Sequence, residues 1–241
     1  MKLSGIATKW SVSRCSVKSQ YFGDNKDLFT YDLILHIMQA GLVKHFTFVP
    51  MLTEPDRTGD GGKSNREKAK AGTQNKGLVD FLDKCIKDGK RDIKQLERFF
   101  KNKGIMMTIY DGEGYFSSAN RHKYFSEIGN GLLDESLVFV DPDIGLEVKN
   151  SGKEHLLYSE VNGLYRRMDD SSILMIYQYL PRRPHLEYLN MRCEELKEKV
   201  TDDFPVCIDD NEIAFFFLTK NKELEHSLMH VISEYAERYG E

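Results

Sequence analysis

The clearest pattern along the chain is an unbroken apolar run, Leu137-Val138-Phe139-Val140, that stops at Asp141-Pro142-Asp143-Ile144-Gly145. Such a run, rich in β-branched residues and bounded by turn formers, predicts a strand buried on both faces with carboxylates beyond its carboxyl end. Runs at 45–52, 105–110 and 173–180 predict three further strands, the first with an irregular end at Pro50. Between them the period becomes helical. Asp24 and Asp27 open a segment whose apolar residues, from Leu28 to Met38, cover almost the whole circumference, which predicts a helix buried among other elements. Leu78 to Ile86 and Ile93 to Phe100 predict two amphipathic helices, and Leu157 to Met168, Leu186 to Val200 and Leu224 to Tyr239 predict three more. Val206–Ile208 and Ile213–Leu218, separated by Asp209-Asp210-Asn211, read as a hairpin.

Strands alternating with helices predict an α/β fold. The architecture expected is Rossmann-like, a mostly parallel sheet with helices on both faces, with the terminal strand pair supplying an antiparallel edge. A chain of 241 residues fits one domain, 1–241. Residues 53–76 interrupt it: Gly59, Gly61, Gly62 and Gly72 with almost no large apolar side chain predict a long basic loop.

Composition narrows the classes. Hydrophobic residues make up 40% of the chain, with 14 Phe and 12 Tyr, enough for a folded core. No apolar run approaches the roughly 20 residues of a membrane span, and the first ten residues lack a signal-peptide core. The expectation is a cytoplasmic protein with no membrane partner. The net charge of -4 conceals a basic belt: 57–76 and 84–103 carry an excess of six over two and eight over three basic to acidic residues. That belt is either a solvated surface or a phosphate footprint, and it makes nucleic acid, RNA or DNA, the candidate partner through 57–103. The four cysteines form no C-x-x-C pair, which excludes a zinc knuckle and a disulfide framework. Among the histidines, His36 belongs to the buried helix, and His226 and His230 lack the partnering glutamate motif of a metal-binding helix.

Two strands end in acids: Asp111 with Glu113, and Asp141 with Asp143, with Glu147 close behind. In a parallel sheet these carboxylates emerge at one end, where a cation, a proton or a substrate amine must relieve their repulsion. The plainer alternative is that they cap the turns that follow. Asp111, Asp141, Asp143 and Glu147 would make a reasonable Mg²⁺ set for a nuclease or phosphoesterase, with Lys149 stabilising developing charge. Gly62-Lys63-Ser64 has part of the spelling of a phosphate loop, but Arg57 stands where its first glycine is needed, so nucleotide hydrolysis is not expected.

Three segments together resemble the class I S-adenosylmethionine-dependent methyltransferases, closest to those that modify the exocyclic amine of adenine in ribosomal RNA. They are Gly23-Asp24-Asn25-Lys26-Asp27-Leu28-Phe29-Thr30-Tyr31 opening a helix, Asp141-Pro142-Asp143-Ile144 after a central strand, and Tyr177-Gln178-Tyr179 with Pro181 at the end of the next. The resemblance implies S-adenosylmethionine as cofactor near Gly23, Asp24 and Asp27, and a reacting amine near Asp141 and Pro142. Asp143 is placed with the catalytic pair, and Asp111, at the neighbouring strand end, with the cofactor residues. Asp143 stands where the family has a second proline and Ile144 where it has an aromatic. Thr53-Glu54-Pro55-Asp56-Arg57 stands where it has a glycine-rich turn. The leading expectation is a methyltransferase-like protein acting on adenine amines of nucleic acid. The alternatives are the divalent-metal nuclease or phosphoesterase and a nucleic-acid-binding protein that keeps the framework without catalysis.

Overall fold

A computed structural model describes residues 22–54, 66, 71–110, 112, 114–182 and 184–239. Helix α1 (Asn25–Gln39) begins where Asp24 accepts hydrogen bonds from the backbone N–H groups of Lys26 and Asp27, at 2.8 and 2.9 Å. It is buried along nearly its whole length, as its continuous apolar surface predicts. There follow β1 (His45–Pro50), α2 (Lys76–Lys87), α3 (Gln95–Asn102), β2 (Met106–Ile109), α4 (Arg121–Ser126) and β3 (Ser136–Asp141). The chain continues through β4 (Gly145–Leu146), β5 (His155–Leu156), α5 (Tyr158–Arg167), β6 (Ile173–Tyr179) and α6 (His185–Leu196). It closes with the hairpin β7 (Val206–Asp209) and β8 (Ile213–Leu218), then α7 (Lys222–Tyr239).

Six strands form one sheet in the order β2-β1-β3-β6-β8-β7. The first four are parallel, and β8 runs antiparallel to both β6 and β7. This is the α/β, Rossmann-like arrangement expected, with the reversed strand wedged just inside the edge strand β7. Alternation along the strands divides the core between two faces. Phe46, Phe48, Phe139, Met175 and Phe215 pack toward α1, α2, α3 and α7, whereas Val138, Val140, Ile176 and Phe216 pack toward α4, α5 and α6. Among the described residues no helix is long and apolar enough to cross a membrane.

The chain passes from β1 outward to β2, then returns over β1 to lay β3 on its other side. That reversal opens a crevice at the carboxyl ends of β1 and β3. The ladder between these two strands runs the full length of both, from His45 opposite Ser136 to Pro50 opposite Asp141.

Three local features depart from the pattern read in the sequence. The run 105–110 becomes a four-residue edge strand, with Met106 63% exposed, because β2 has a neighbour only on the β1 side. The two-residue strands β4 and β5 pair in parallel as a separate sheet, too short to carry a periodic signal. After α6 the chain continues as one wider turn over Lys197–Thr201, ending at Asp202 in the left-handed region.

Buried Asp32 ties three helices together. Its carboxylate accepts hydrogen bonds from Tyr235 Oη and Tyr239 Oη on α7, at 2.9 and 2.8 Å, and from Asn75 Nδ2 at the start of α2, at 2.8 Å. Asn75 in turn caps α2 by accepting from Leu78 N–H. Removing the carboxylate strands donors that the fold buries. Asp32→Ala is expected to lower unfolding stability by about 2–4 kcal/mol, measured by urea denaturation, with α1 against α7 the first contact to open.

Candidate functional site

The crevice between β1 and β3 is a cleft of about 730 Å³, within the usual size range of small-ligand sites. Its floor is built by chain positions far apart in sequence. β3 delivers Asp141, Pro142 and Asp143 at its carboxyl end, and the segment after β1 delivers Met51, Leu52, Thr53 and Glu54. The start of α1 contributes Asp24, Lys26, Asp27, Thr30 and Tyr31, and the end of β6 contributes Tyr177 and Tyr179.

The turn before α1 is fixed by local chemistry. Gly23 adopts φ +87°, a conformation that favours glycine. Its N–H donates to Asp27 Oδ2 at 2.7 Å, while Asp24 caps the helix. Arg66 holds the same turn from outside, donating from Nη2 to Gly23 O at 2.8 Å and from Nη1 to Asp24 O at 3.0 Å, while it pairs with Asp83 of α2. One member of the basic belt is thus committed to shaping the site. Gly23 itself stays behind the cleft wall as the hinge of the turn.

On the opposite wall, Thr53 Oγ1 donates to Asp143 Oδ2 at 2.7 Å and fixes the second aspartate of Asp-Pro-Asp. Ile144 follows, with its O accepting from Tyr179 N–H at 2.8 Å and its N–H donating to Glu154 O at 3.0 Å. Gly145 then turns at φ +138°, where a Cβ would meet Gln178 at 2.5 Å. Gln178 cannot yield, because its Oε1 accepts from Leu146 N–H at 2.9 Å and its Nε2 donates to Tyr179 O at 2.8 Å. The β4–β5 pair folds back beside this turn and brings Lys153 and Glu154 to the rim of the cleft.

The charges in the cleft are unbalanced. Burial, then the charges of Asp143 and Asp24, push the Asp141 carboxyl up to about 8. Burial and the neighbouring charges of Asp24 and Asp141 raise Asp27 well above the ordinary carboxylate range, against the pull of the Gly23 N–H. Burial also raises Asp24. The Tyr31 hydroxyl, hydrogen-bonded to Asp27, is pushed well up by burial and then by the charges of Asp27, Asp141 and Asp24. The positive end of α1 points at this group and offsets part of the repulsion. Lys26 lies over the Tyr179 ring, 4.5 Å from its centroid. A site of this kind favours a ligand that brings positive charge or N–H donors.

The structure therefore brings together Asp24, Asp27, Asp141, Pro142 and Asp143 of the residues singled out from sequence. Asp111 and Glu113 lie outside the described residues, as does the segment 57–65. Glu147 goes elsewhere: its carboxylate accepts from Tyr158 N–H at 2.9 Å at the start of α5, and its O accepts from the buried Arg192 Nη1 at 2.7 Å. Among the described residues no three His, Cys, Asp or Glu side chains are arranged to hold a metal ion. Arg66 and Lys153 were not expected at the site and carried no pattern in a loop, whereas Tyr31 and Thr53 were named only as members of stretches compared with the family, with no role of their own. No family model, curated protein or solved structure matches the chain.

The raised Asp141 carboxyl has a consequence for stability. Its folded value lies above its ordinary one, so the stabilisation is present below the ordinary carboxylate range and is lost as pH rises through about 8. Asp141→Asn is expected to raise the melting temperature at pH 9, by roughly 2–4 °C for each kcal/mol regained, and to change it much less at pH 3.5, below the ordinary carboxylate value. Thermal unfolding at both pH values checks this.

Proposed function

We propose that the chain is an S-adenosylmethionine-dependent methyltransferase acting on an exocyclic amine, adenine first, of nucleic acid. One observation carries the reading. The three segments on which the family resemblance rests, 23–31, 141–144 and 177–179, meet around a single cleft at the strand switch point of a Rossmann-like sheet. Nothing in their sequence positions requires this.

The cleft suits the cofactor in size and charge. Asp24, Asp27, Asp141 and Glu54 offer acceptors to cationic groups, and Lys26 and Lys153 offer donors to a carboxylate. When bound, S-adenosylmethionine supplies an electrophilic methyl group. The chain's part is to hold the amine. An exocyclic amine is a poor nucleophile, so the gain comes from fixing its lone pair in line and accepting its N–H protons in hydrogen bonds. Asp141 is the group for this, standing at the end of the central strand with its carboxyl in the cleft.

The basic belt gives the nucleic-acid reading its support. Ile93, in the connection between α2 and α3, lines the cleft, and Lys90, Arg91 and Lys94 flank it in the chain. Phosphate contacts there would orient a strand across the opening. The metal-ion reading of the same carboxylates has less behind it, because Glu147 is committed to the start of α5.

Calorimetric titration of the purified protein with S-adenosylmethionine, in the presence of chelator, is expected to show saturable binding. Methyl transfer to RNA or DNA is expected to rise with pH through about 8, as Asp141 loses the proton that blocks it as an acceptor. Asp141→Ala is expected to reduce transfer by about 100-fold or more while the protein stays folded. A flat titration would overturn the reading.

A further inference from the structure

Tyr177 is a deep residue of the cleft whose polar atom has no partner among the described residues. Its ring is held in the core against Phe215, with centroids 6.1 Å apart, and the residue is only 9% exposed. Its hydroxyl has no hydrogen-bond partner among the described residues, although it lines the cleft. Buried tyrosine hydroxyls ordinarily find one. The other deep phenol, Tyr31, is satisfied by Asp27.

Asp141 is in the same condition. Its backbone O accepts from Met51 N–H at 3.1 Å, but its carboxyl has no hydrogen-bond partner among the described residues, in contrast to Asp24, Asp27 and Asp143. Strand register places the two side by side. Val140 lies opposite Ile176 in the parallel β3–β6 ladder, so Asp141 and Tyr177 are the next pair. Val140 and Ile176 face the α5 side, so the residues that follow them face the α1 side. A donor and an acceptor, each without a partner, thus stand together on the cleft floor.

We infer that Tyr177 and Asp141 read one edge of the substrate, Asp141 accepting an amine N–H while Tyr177 donates to a lone pair on the adjoining ring nitrogen. The inference rests on the methyltransferase reading and narrows its substrate. The acceptor is an amino group conjugated to a ring nitrogen, as in adenine or cytosine, and not an alkylammonium, which has no neighbouring lone pair. Tyr179, 41% exposed at the mouth of the same cleft, supplies a ring beside that edge and favours a planar heterocycle over a side-chain carboxamide. Tyr177 would touch the substrate directly, as a specificity-determining residue. A hydroxyl left unpaired when the matching acceptor is absent is what gives such a site its discrimination.

The test uses purified full-length protein with S-adenosylhomocysteine held at saturation, so that the probe cannot occupy the cofactor's own adenosine position. Adenosine, purine riboside, propylammonium and acetamide are titrated into the wild type and Tyr177→Phe. Wild type is expected to bind adenosine at least tenfold more tightly than purine riboside, which lacks the amine, and than propylammonium, which lacks the lone pair. Tyr177→Phe, which keeps the buried ring, is expected to lose about tenfold in adenosine affinity with its melting temperature unchanged or raised. Undiminished adenosine binding by Tyr177→Phe, preference for propylammonium or acetamide, or no adenosine binding by the folded wild type would each overturn the inference. Titration of S-adenosylmethionine into Tyr177→Phe separates the two levels. Cofactor binding with undiminished adenosine affinity removes only the substrate edge, whereas tyrosine-dependent adenosine binding without cofactor affinity removes only the methyltransferase reading.

Discussion

The repulsion among carboxyl groups gathered at the end of β3 is the constraint on which the rest of the cleft depends. Asp24, Asp27, Asp141 and Asp143 could each sit in water at little cost. The fold instead holds them around one crevice, and Asp27 and Asp141 keep their protons to pH values at which free carboxylic acids are ionised. What holds them there is the rest of the sheet. The full ladder between β1 and β3 fixes Asp141, and the Gly23 turn with its Arg66 clasp fixes Asp24 and Asp27. Stability given up at a site in this way is a common mark of ligand binding.

Much of this was open to reading from sequence because the strands of a parallel sheet are continuous apolar runs and end sharply. Leu137 to Val140 followed by Asp141-Pro142 marks the central strand and its exit, and Asp24 before Leu28 marks the start of the buried helix. The parallel sense of four strands follows from the alternation of periods, and the terminal hairpin supplies the reversed strand β8. What could not be read was every partner that acts across the chain. Thr53 reaches Asp143 over 90 positions, and Arg66 reaches Gly23 over 43. Neither residue type nor spacing carries a signal at such separations.

Aromatic residues were the most misleading. Tyr31 and Tyr177 each sit in an apolar run, within stretches that also carry the family resemblance, and the run marks their rings as core, which is correct. Their hydroxyls belong to the cleft. A tyrosine on a buried strand can serve both environments because its polar atom lies several ångströms beyond the backbone, at the boundary where the core ends and the crevice begins. Met106 misled in the opposite sense: it opens the edge strand β2 with its side chain exposed, although Ile105 before it and Ile109 after it are buried.

The strand order also governs when the cleft can come into being. Its walls need the start of α1, the exit of β1, the exit of β3 and the exit of β6, and the last of these ends at Tyr179. Each parallel pairing among these strands closes a long crossover before any ladder forms, the slowest kind of contact for a folding chain. Asp24 and Asp27 come together as α1 starts, but they meet Asp141 only once β1 and β3 are paired, so the acidic cleft is completed by contacts far apart in the chain.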